Sequence, residues 1–294
     1  MEHFLHVAFK IIVFGLLAGS IYSLFGLGLT IIMGVGKVLN VCHGDLGILG
    51  AYVAFVAFVC FQLDPLLSLV LLMPFLALIG AGIQKFLINP AVSDPKHQTT
   101  VSVMITYGLA LAISNGITII ASPSYRFLDL SYSYSGLEIM GTTINFPRLL
   151  VLIVTAVVAV CLFGLMKTKL GKSIQAASQD QMLACLIGIN NRKITAITFA
   201  ISSALAAVGG VLYILNNPLY PAVGLNLTVK GLTVMVLGGI GNVFGALAAG
   251  LILGLAESLT SFFIGDIYRN IVVYFVLIAV LLLRPSGIFR SLEG

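Results

Sequence analysis

A polar, glycine-bearing stretch, Gly34-Val35-Gly36-Lys37-Val38-Leu39-Asn40-Val41-Cys42-His43-Gly44-Asp45, interrupts sequence that is apolar from Ile11 to Met33 before it and from Leu46 to Phe61 after it. A Lys or Asp facing lipid at mid-membrane costs about 3 kcal/mol, so such residues persist there only against protein, water or the membrane surface. Glycines let the backbone leave the helix, which hydrocarbon tolerates only where the freed amides and carbonyls find partners. Hydrophobic segments broken in this way mark pathways through membrane proteins. The feature therefore predicts a polytopic membrane protein with a functional break between its first two spans.

Composition fits no other class. Apolar residues make up 60% of the 294, charged residues 9%, and the mean hydropathy is +1.13. A soluble domain carries roughly 25% charged residues. The net charge of +5 reads as a cytoplasmic excess of Lys and Arg rather than a nucleic-acid surface. Cys42, Cys60, Cys161 and Cys185 are scattered without CxxC or metal spacing and read as free thiols. The run from Ile11 to Met33 is too long for a signal-peptide core and lacks a small-x-small cleavage site, so it is read as a retained span.

Segments of about 20 apolar residues are needed to cross a bilayer. Candidates are Ile11–Met33, Leu46–Phe61, Leu66–Ile88, Val101–Ala121, Leu149–Met166, Ile194–Leu215 and Tyr268–Leu283. A longer stretch, Leu227–Phe263, is broken at Gly238-Gly239-Ile240-Gly241-Asn242-Val243-Phe244-Gly245. It is either two spans or a re-entrant pair, and in both cases starts and ends on one side. The chain is thus expected to be all-α, with about eight or nine membrane segments in one domain over residues 1–294. Lys167, Lys169, Lys172, Arg192 and Lys193, with Arg284 and Arg290, place the 167–192 loop and the C-terminal tail in the cytoplasm. Lys85 and Lys96 put the Asn89–Thr100 connection on the same side, and the Ser122–Pro147 loop falls outside. Of fifteen Lys and Arg, ten then lie inside, Lys10, Arg126, Arg148 and Arg269 lie outside, and Lys230 lies within a span. Gly15–Gly19 and Gly241–Gly250 offer surfaces for close helix packing. The two glycine breaks, Ile31–Val38 and Val236–Val243, also faintly echo one another.

The cytoplasmic loop is too ordered for a plain connector. Ser178 and Gln181 form a capping-box pair, Met182, Leu183, Leu186 and Ile187 recur at helical spacing, and Gly188 stands where a helix stops. Two short helices are predicted, the second, from about Gln179 to Ile187, amphipathic. Its apolar face needs cover, either from lipid headgroups or from a cytoplasmic subunit.

At this loop the chain resembles the membrane permease of bacterial ABC importers for branched-chain amino acids, the LivH type. The matching residues are Gly171, Lys172, Ile174, Gln175, Ala176, Ala184, Gly188 and Ile189; Lys172 and Gln175 stand where the family more commonly has arginine. An early signature appears as Gly26, Leu27, Leu29, Gly34, Asn40, His43 and Gly44, followed by Asp45 and Gly50-Ala51-Tyr52. A late glycine motif appears as Gly238, Gly239, Ile240, Gly241, Asn242 and Gly245, with Gly250 and Gly254 beyond, and the tail closes on Arg284-Pro285, Gly287 and Phe289. The resemblance spans nearly the whole chain. It implies a type II-like importer permease in the bacterial inner membrane, without catalytic residues. It implies pairing with a like permease, two cytoplasmic ATPases that carry ATP and Mg, and a periplasmic binding protein that delivers substrate. It also implies that the 171–190 loop docks on the ATPase through Gly171, Lys172, Ala176, Ala177, Asp180, Gln181, Leu183, Leu186, Gly188 and Ile189.

Several motifs are decoys. Gly171-Lys172-Ser173 resembles the end of a phosphate-binding loop, but Met166 stands where its first glycine belongs. His43 and Asp45 are too few ligands for a closed metal site and are expected to hydrogen-bond the broken backbone and each other. Asn226-Leu227-Thr228 is a formal glycosylation sequon. No nucleophile–base pair is evident, and no cofactor, metal or nucleic acid is expected on this chain. Asn40, His43, Gly44 and Asp45, with Gly239, Gly241 and Asn242, are expected to line or brace a translocation path. Lys230 and Glu257 could neutralise one another inside the membrane. A permease for urea, amides or another hydrophobic amino acid, a stand-alone secondary transporter and a membrane scaffold are the competing readings.

Overall fold

A computed structural model describes residues 2–92, 97–139, 142–284 and 287–289. Lys96, Pro285 and Arg290, used above, lie outside the described residues. The first break separates α1 (Glu2–Gly36) from α2 (His43–Phe61). α3 (Pro65–Gly82) runs through a π-turn (Ile83–Ile88) into α4 (Asn89–Ala91), and α5 (Gln98–Ala121) returns. A hairpin of β1 (Gly136–Ile139) and β2 (Thr142–Asn145) precedes α6 (Phe146–Lys167). The loop helices are α7 (Lys169–Gln179) and α8 (Gln181–Leu186). α9 (Asn191–Ile214), α10 (Val223–Gly238), α11 (Val243–Phe263) and α12 (Arg269–Leu283) complete the chain. Among the described residues eight helices are long and apolar enough to cross a membrane. The all-helical expectation holds apart from the four-residue strands of the hairpin.

The ambiguous stretch forms a helix–turn–helix pair, α10 and α11. α10 begins just after Leu219, which exchanges backbone hydrogen bonds with Arg126 in the loop that carries the hairpin. It ends at Gly238, packed against Gly245 and Ala246 at the start of α11. Sixteen residues of helix reach only about 24 Å, which is short for a hydrocarbon core of about 30 Å. The hairpin of α10 and α11 therefore starts and ends at the hairpin end of the bundle and turns at the end that carries α7 and α8, the loop end.

α1 and α9 form the centre. In each, 72% of the most apolar stretch is buried, against 17% for α5 and 11% for α12. Small residues decide this. A Cβ on Gly19 would lie 2.7 Å from the Gly250 carbonyl oxygen, and one on Gly15 would lie 2.8 Å from the Leu255 Cα, so α1 and α11 meet backbone to backbone. Gly47 of α2 faces Ala206 and Gly210 of α9 in the same manner, and Phe25 of α1 packs on Gly47, Gly209 and Gly231. Lipid tails are as apolar as Leu, so such close contact and the dispersion energy it adds, rather than hydrophobicity, select helix partners in a bilayer.

Gly19→Val is expected to destabilise the chain by about 1–3 kcal/mol, the cost of overpacking a close contact. Gly108, which has nothing within 4 Å of its missing Cβ, should accept Ala without loss of packing. Thermal unfolding of both purified variants in one detergent checks the contrast; equal midpoints would mean that the α1–α11 contact does not limit stability.

Candidate functional site

The break between α1 and α2 takes its backbone partners from other helices. Lys37 adopts φ +49° and ends α1. Ser102 Oγ accepts from the Leu39 amide at 3.3 Å, and Thr106 Oγ1 accepts from the Val41 amide at 3.1 Å. These two hydroxyls sit one turn apart on α5. Thr228 Oγ1 of α10 accepts from the Gly44 amide at 2.8 Å and stands 3.1 Å from the Val41 carbonyl. Asn40 Oδ1 accepts from the amide two residues on, at Cys42, 3.1 Å away. Each bond removes an unmet backbone group from a place without water. Sequence reasoning missed Ser102, Thr106 and Thr228. The usable signal was a Ser and a Thr at i, i+4 on one face of an apolar helix, where hydroxyls act as glue.

His43 and Asp45 do not pair as expected. Residues two apart on a helix point to different faces. His43 rests on Gly28, where a Cβ would come within 2.6 Å of its ring, and meets Phe25 edge-on at 5.7 Å between centroids. Its Nδ1 stands 3.4 Å from Ser202 Oγ of α9. Asp45 packs instead against Gly224 of α10. Gly44 seats on the Gly224 carbonyl and Thr228, where a Cβ would collide at 2.0 Å. Asn40, His43 and Asp45 are buried inside this one chain, around the break.

The second break lies elsewhere, at the loop end. Gly239 and Gly241 take φ +90° and +84°, and Asn242 caps α11 by accepting from the Gly245 amide at 2.9 Å. Asn242 Nδ2 donates to the Phe289 carbonyl, and the Ile288 amide donates to the Leu237 carbonyl at 2.9 Å, so the tail closes over this turn. Gly239, Gly241 and Asn242 line a cavity of about 870 Å³ with Gly34, Lys37, Gln175 and Ser178. The two echoing glycine segments touch here, because a Cβ on Gly34 would lie 2.8 Å from the Gly241 Cα. The expected pathway residues thus form two groups, one bracing the bundle interior and one lining this cavity. The stretch of α1 from Gly28 to Gly34, about 9 Å of helix, separates them.

The loop helices match the expectation in number, but the cap differs. Ser178 remains in the last turn of α7 and donates to the Gln175 carbonyl at 2.8 Å. The N-cap of α8 is Asp180, whose Oδ1 accepts from the Met182 and Leu183 amides at 2.7 and 3.0 Å. Gln181 completes no capping box; its Nε2 donates to the Val35 carbonyl at the end of α1, 2.6 Å away. The stop is as expected. Gly188 has φ +89°, the Ile189 amide reaches the Ala184 carbonyl and the Gly188 amide reaches the Cys185 carbonyl, both at 3.0 Å, which is a Schellman closure. Gly171 lets α7 fold back on α6, since a Cβ there would lie 2.3 Å from the Leu165 carbonyl. Ala177 and Ala184 turn inward, Ala176 is half-buried and Lys172 is exposed. Met182 is 75%, Leu183 60%, Leu186 75% and Ile187 74% exposed.

The intramembrane charges do meet. Glu257, wholly buried, pairs with Lys230 Nζ and Arg269 Nε, each at 2.8 Å, and accepts from Tyr22 OH at 2.7 Å. Arg269 and Tyr22 had no part in the sequence expectation. The cluster ties α1, α10, α11 and α12 together.

Residues 11–281 match the family model of the permease component of branched-chain amino acid transport systems. The chain belongs to that family. It is 31% identical over 296 residues to the high-affinity branched-chain amino acid transport permease protein BraD of Pseudomonas aeruginosa, covering 95% of this chain and 94% of that one. Against the LivH permease protein of Salmonella typhimurium the identity is 31%, with coverage of 95% and 94%. A probable LivH permease of Methanocaldococcus jannaschii is 27% identical, covering 92% and 88%. The PsaBC complex of Streptococcus pneumoniae aligns over 97% of this chain at 12% identity and a TM-score of 0.49, too distant to bear on the fold. The family and the eight apolar helices make the chain a multi-pass membrane permease.

The cap assignment is open to a direct test. Asp180→Ala should weaken α8 by about 1 kcal/mol and speed hydrogen exchange at the Met182 and Leu183 amides, while Ser178→Ala should leave both amides unchanged. The opposite ranking would return the cap to Ser178.

Proposed function

We propose that this chain is the membrane-spanning subunit of an ATP-driven importer for branched-chain amino acids, working in the cytoplasmic membrane with a second permease subunit. Two cytoplasmic ATPases bind ATP and Mg, and a periplasmic binding protein delivers the substrate. Whole-length family membership supports the transport role and the substrate class. The observation that carries the coupling mechanism is α8, capped at both ends, apolar on its exposed side and hydrogen-bonded to the last turn of α1. It lies where the basic residues place the cytoplasm. Burying Leu183 and Leu186 in an ATPase groove would contribute roughly 1.5–3 kcal/mol each.

Movement of the ATPases then acts on α6 and α9, which flank the loop, and on α1 through the bond from Gln181 to Val35. A ligand shifts a two-state equilibrium only through contacts that differ between the states, and this bond is one that α8 can make in one state and release in the other. The cavity at Gly34, Gly239, Gly241 and Asn242 is walled on one side by α7 and is the part of the path that such a motion would open or close. Asn40, His43, Gly44 and Asp45 hold the shape of the bundle around it.

Leu186→Asp should abolish pull-down of the ATPase subunits, or leave ATP hydrolysis running without uptake, while the membrane bundle keeps its thermal stability. Reconstituted vesicles containing all subunits and labelled leucine provide the measurement. Wild-type docking together with wild-type uptake would contradict the role of α8. Uptake of leucine driven by an ion gradient in vesicles that lack the ATPases would favour a secondary transporter instead.

A further inference from the structure

At the hairpin end, a cavity of about 480 Å³ opens between α1, α6, α11, α12 and the turn after α9. Lys10, Arg148 and Arg269 line it, and among the described residues no Asp or Glu does. The expected topology leaves four basic residues on this side, and three of them converge here. Orientation rules keep Lys and Arg away from the translocated side, so such a concentration calls for a specific counter-charge. Glu257 does not supply it. That carboxylate is shared between Arg269 and Lys230, so the buried cluster keeps one positive charge, and Arg148 and Lys10 add to it.

The depth of these groups narrows the choice of ligand. Lys10 precedes the apolar run of α1, Arg148 lies in the first turn of α6, Arg269 opens α12, and Asn216 and Asn217 follow α9. Arg148 and Arg269 stand at helix starts, Lys10 lies about two turns into α1, and the Arg269 guanidinium turns inward to Glu257 at 2.8 Å and Tyr22 OH at 3.4 Å. Deeper in, the wall becomes apolar along α1 through Phe14, Leu17 and Ile21, joined by Val151 and Phe262. The Arg148 guanidinium lies 4.4 Å over the Phe14 ring, which holds it across the mouth of the cavity. A free amino acid fits this site poorly, because its ammonium would face three cations and no carboxylate.

We propose that the cavity is a site for an anionic phospholipid. Its phosphate sits among Lys10, Arg148 and Arg269, and an acyl chain runs down the apolar wall of α1. This reading does not depend on the substrate or on the ATPase partners.

Native mass spectrometry of the purified full-length chain, with dioleoyl-phosphatidylglycerol and dioleoyl-phosphatidylcholine as competing probes, tests it. The wild type should retain phosphatidylglycerol in preference to phosphatidylcholine. A Lys10→Gln, Arg148→Gln double variant should lose that preference by about thirty-fold, the scale of two removed basic contacts near a membrane surface. Lys10→Arg with Arg148→Lys should keep it. Equal retention of the two lipids by the wild type, or an unchanged preference in the Gln variant, would overturn the site. Displacement of phosphatidylglycerol by millimolar inorganic phosphate would reassign the cavity to a free anion, and displacement by leucine to substrate; both overturn the lipid assignment. If the Gln variant aggregates, a phosphatidylglycerol with a photoreactive acyl chain decides on the wild type. Crosslinks within Phe14–Ile21, or to Val151 or Phe262, support the proposal, and crosslinks confined to residues outside the cavity refute it.

Discussion

A backbone that leaves its helix inside hydrocarbon must find every hydrogen bond again, and the rest of this structure is arranged around that demand. Six residues between α1 and α2 lie outside regular helix. The Leu39 and Val41 amides are met by hydroxyls of α5, the Val41 carbonyl by a hydroxyl of α10, and the Cys42 amide by the Asn40 side chain of the segment itself. An unmet buried amide or carbonyl costs about 1–3 kcal/mol. The break is therefore stable only with α5 and α10 in place, so the positions of these helices are tied to it. Polar residues within it then act through shape as much as through charge: Gly44 gives Thr228 access to the chain, and Asn40 turns it.

The second organising term is close approach. α1 crosses α11 with glycine on glycine, and α2 crosses α9 in the same way. Backbones at such distances tolerate little sliding, so the central helices behave as a unit. The loop end differs. α8 has an exposed apolar side, and beside it a cavity separates the two glycine turns, which meet at a single point between Gly34 and Gly241. A rigid centre joined to a loosely packed end suits a machine whose motion is imposed from outside the membrane.

Spans were legible in the sequence because a run of apolar residues has one meaning in a long hydrophobic chain, and every expected span is helical over most of its length, most of them reaching a few residues further, while the helix expected over Tyr268–Leu283 starts at Arg269 and that over Ile194–Leu215 ends at Ile214. Which helix lies at the centre was not legible from hydropathy, since α1 and α5 are both apolar all round. Gly15 and Gly19 showed only a surface of α1 able to pack closely, without naming its partner. The misplaced cap has a local cause: Ser178 and Asp180 both precede the same apolar run, and α7 continues far enough to absorb Ser178. The cationic cavity was invisible because Lys10, Arg148 and Arg269 are far apart in sequence and meet only when α1, α6 and α12 assemble. The pairing of Lys230 with Glu257 could be anticipated, since two opposite charges in adjoining membrane segments have few other partners.

That pair also bears on how the chain reaches its fold. α10 is short for a span and carries a lysine, which makes its solitary transfer into the bilayer unfavourable. α11 follows it after a tight turn and brings the matching carboxylate. Entering as a hairpin, the two helices cross as a nearly neutral object. Arg269 is synthesised only later and adds the second cation once Glu257 is already seated. The charges thus favour insertion of α10 and α11 as a pair rather than one at a time, so that the ion pair joining them in the finished bundle also lowers the cost of bringing both into the bilayer.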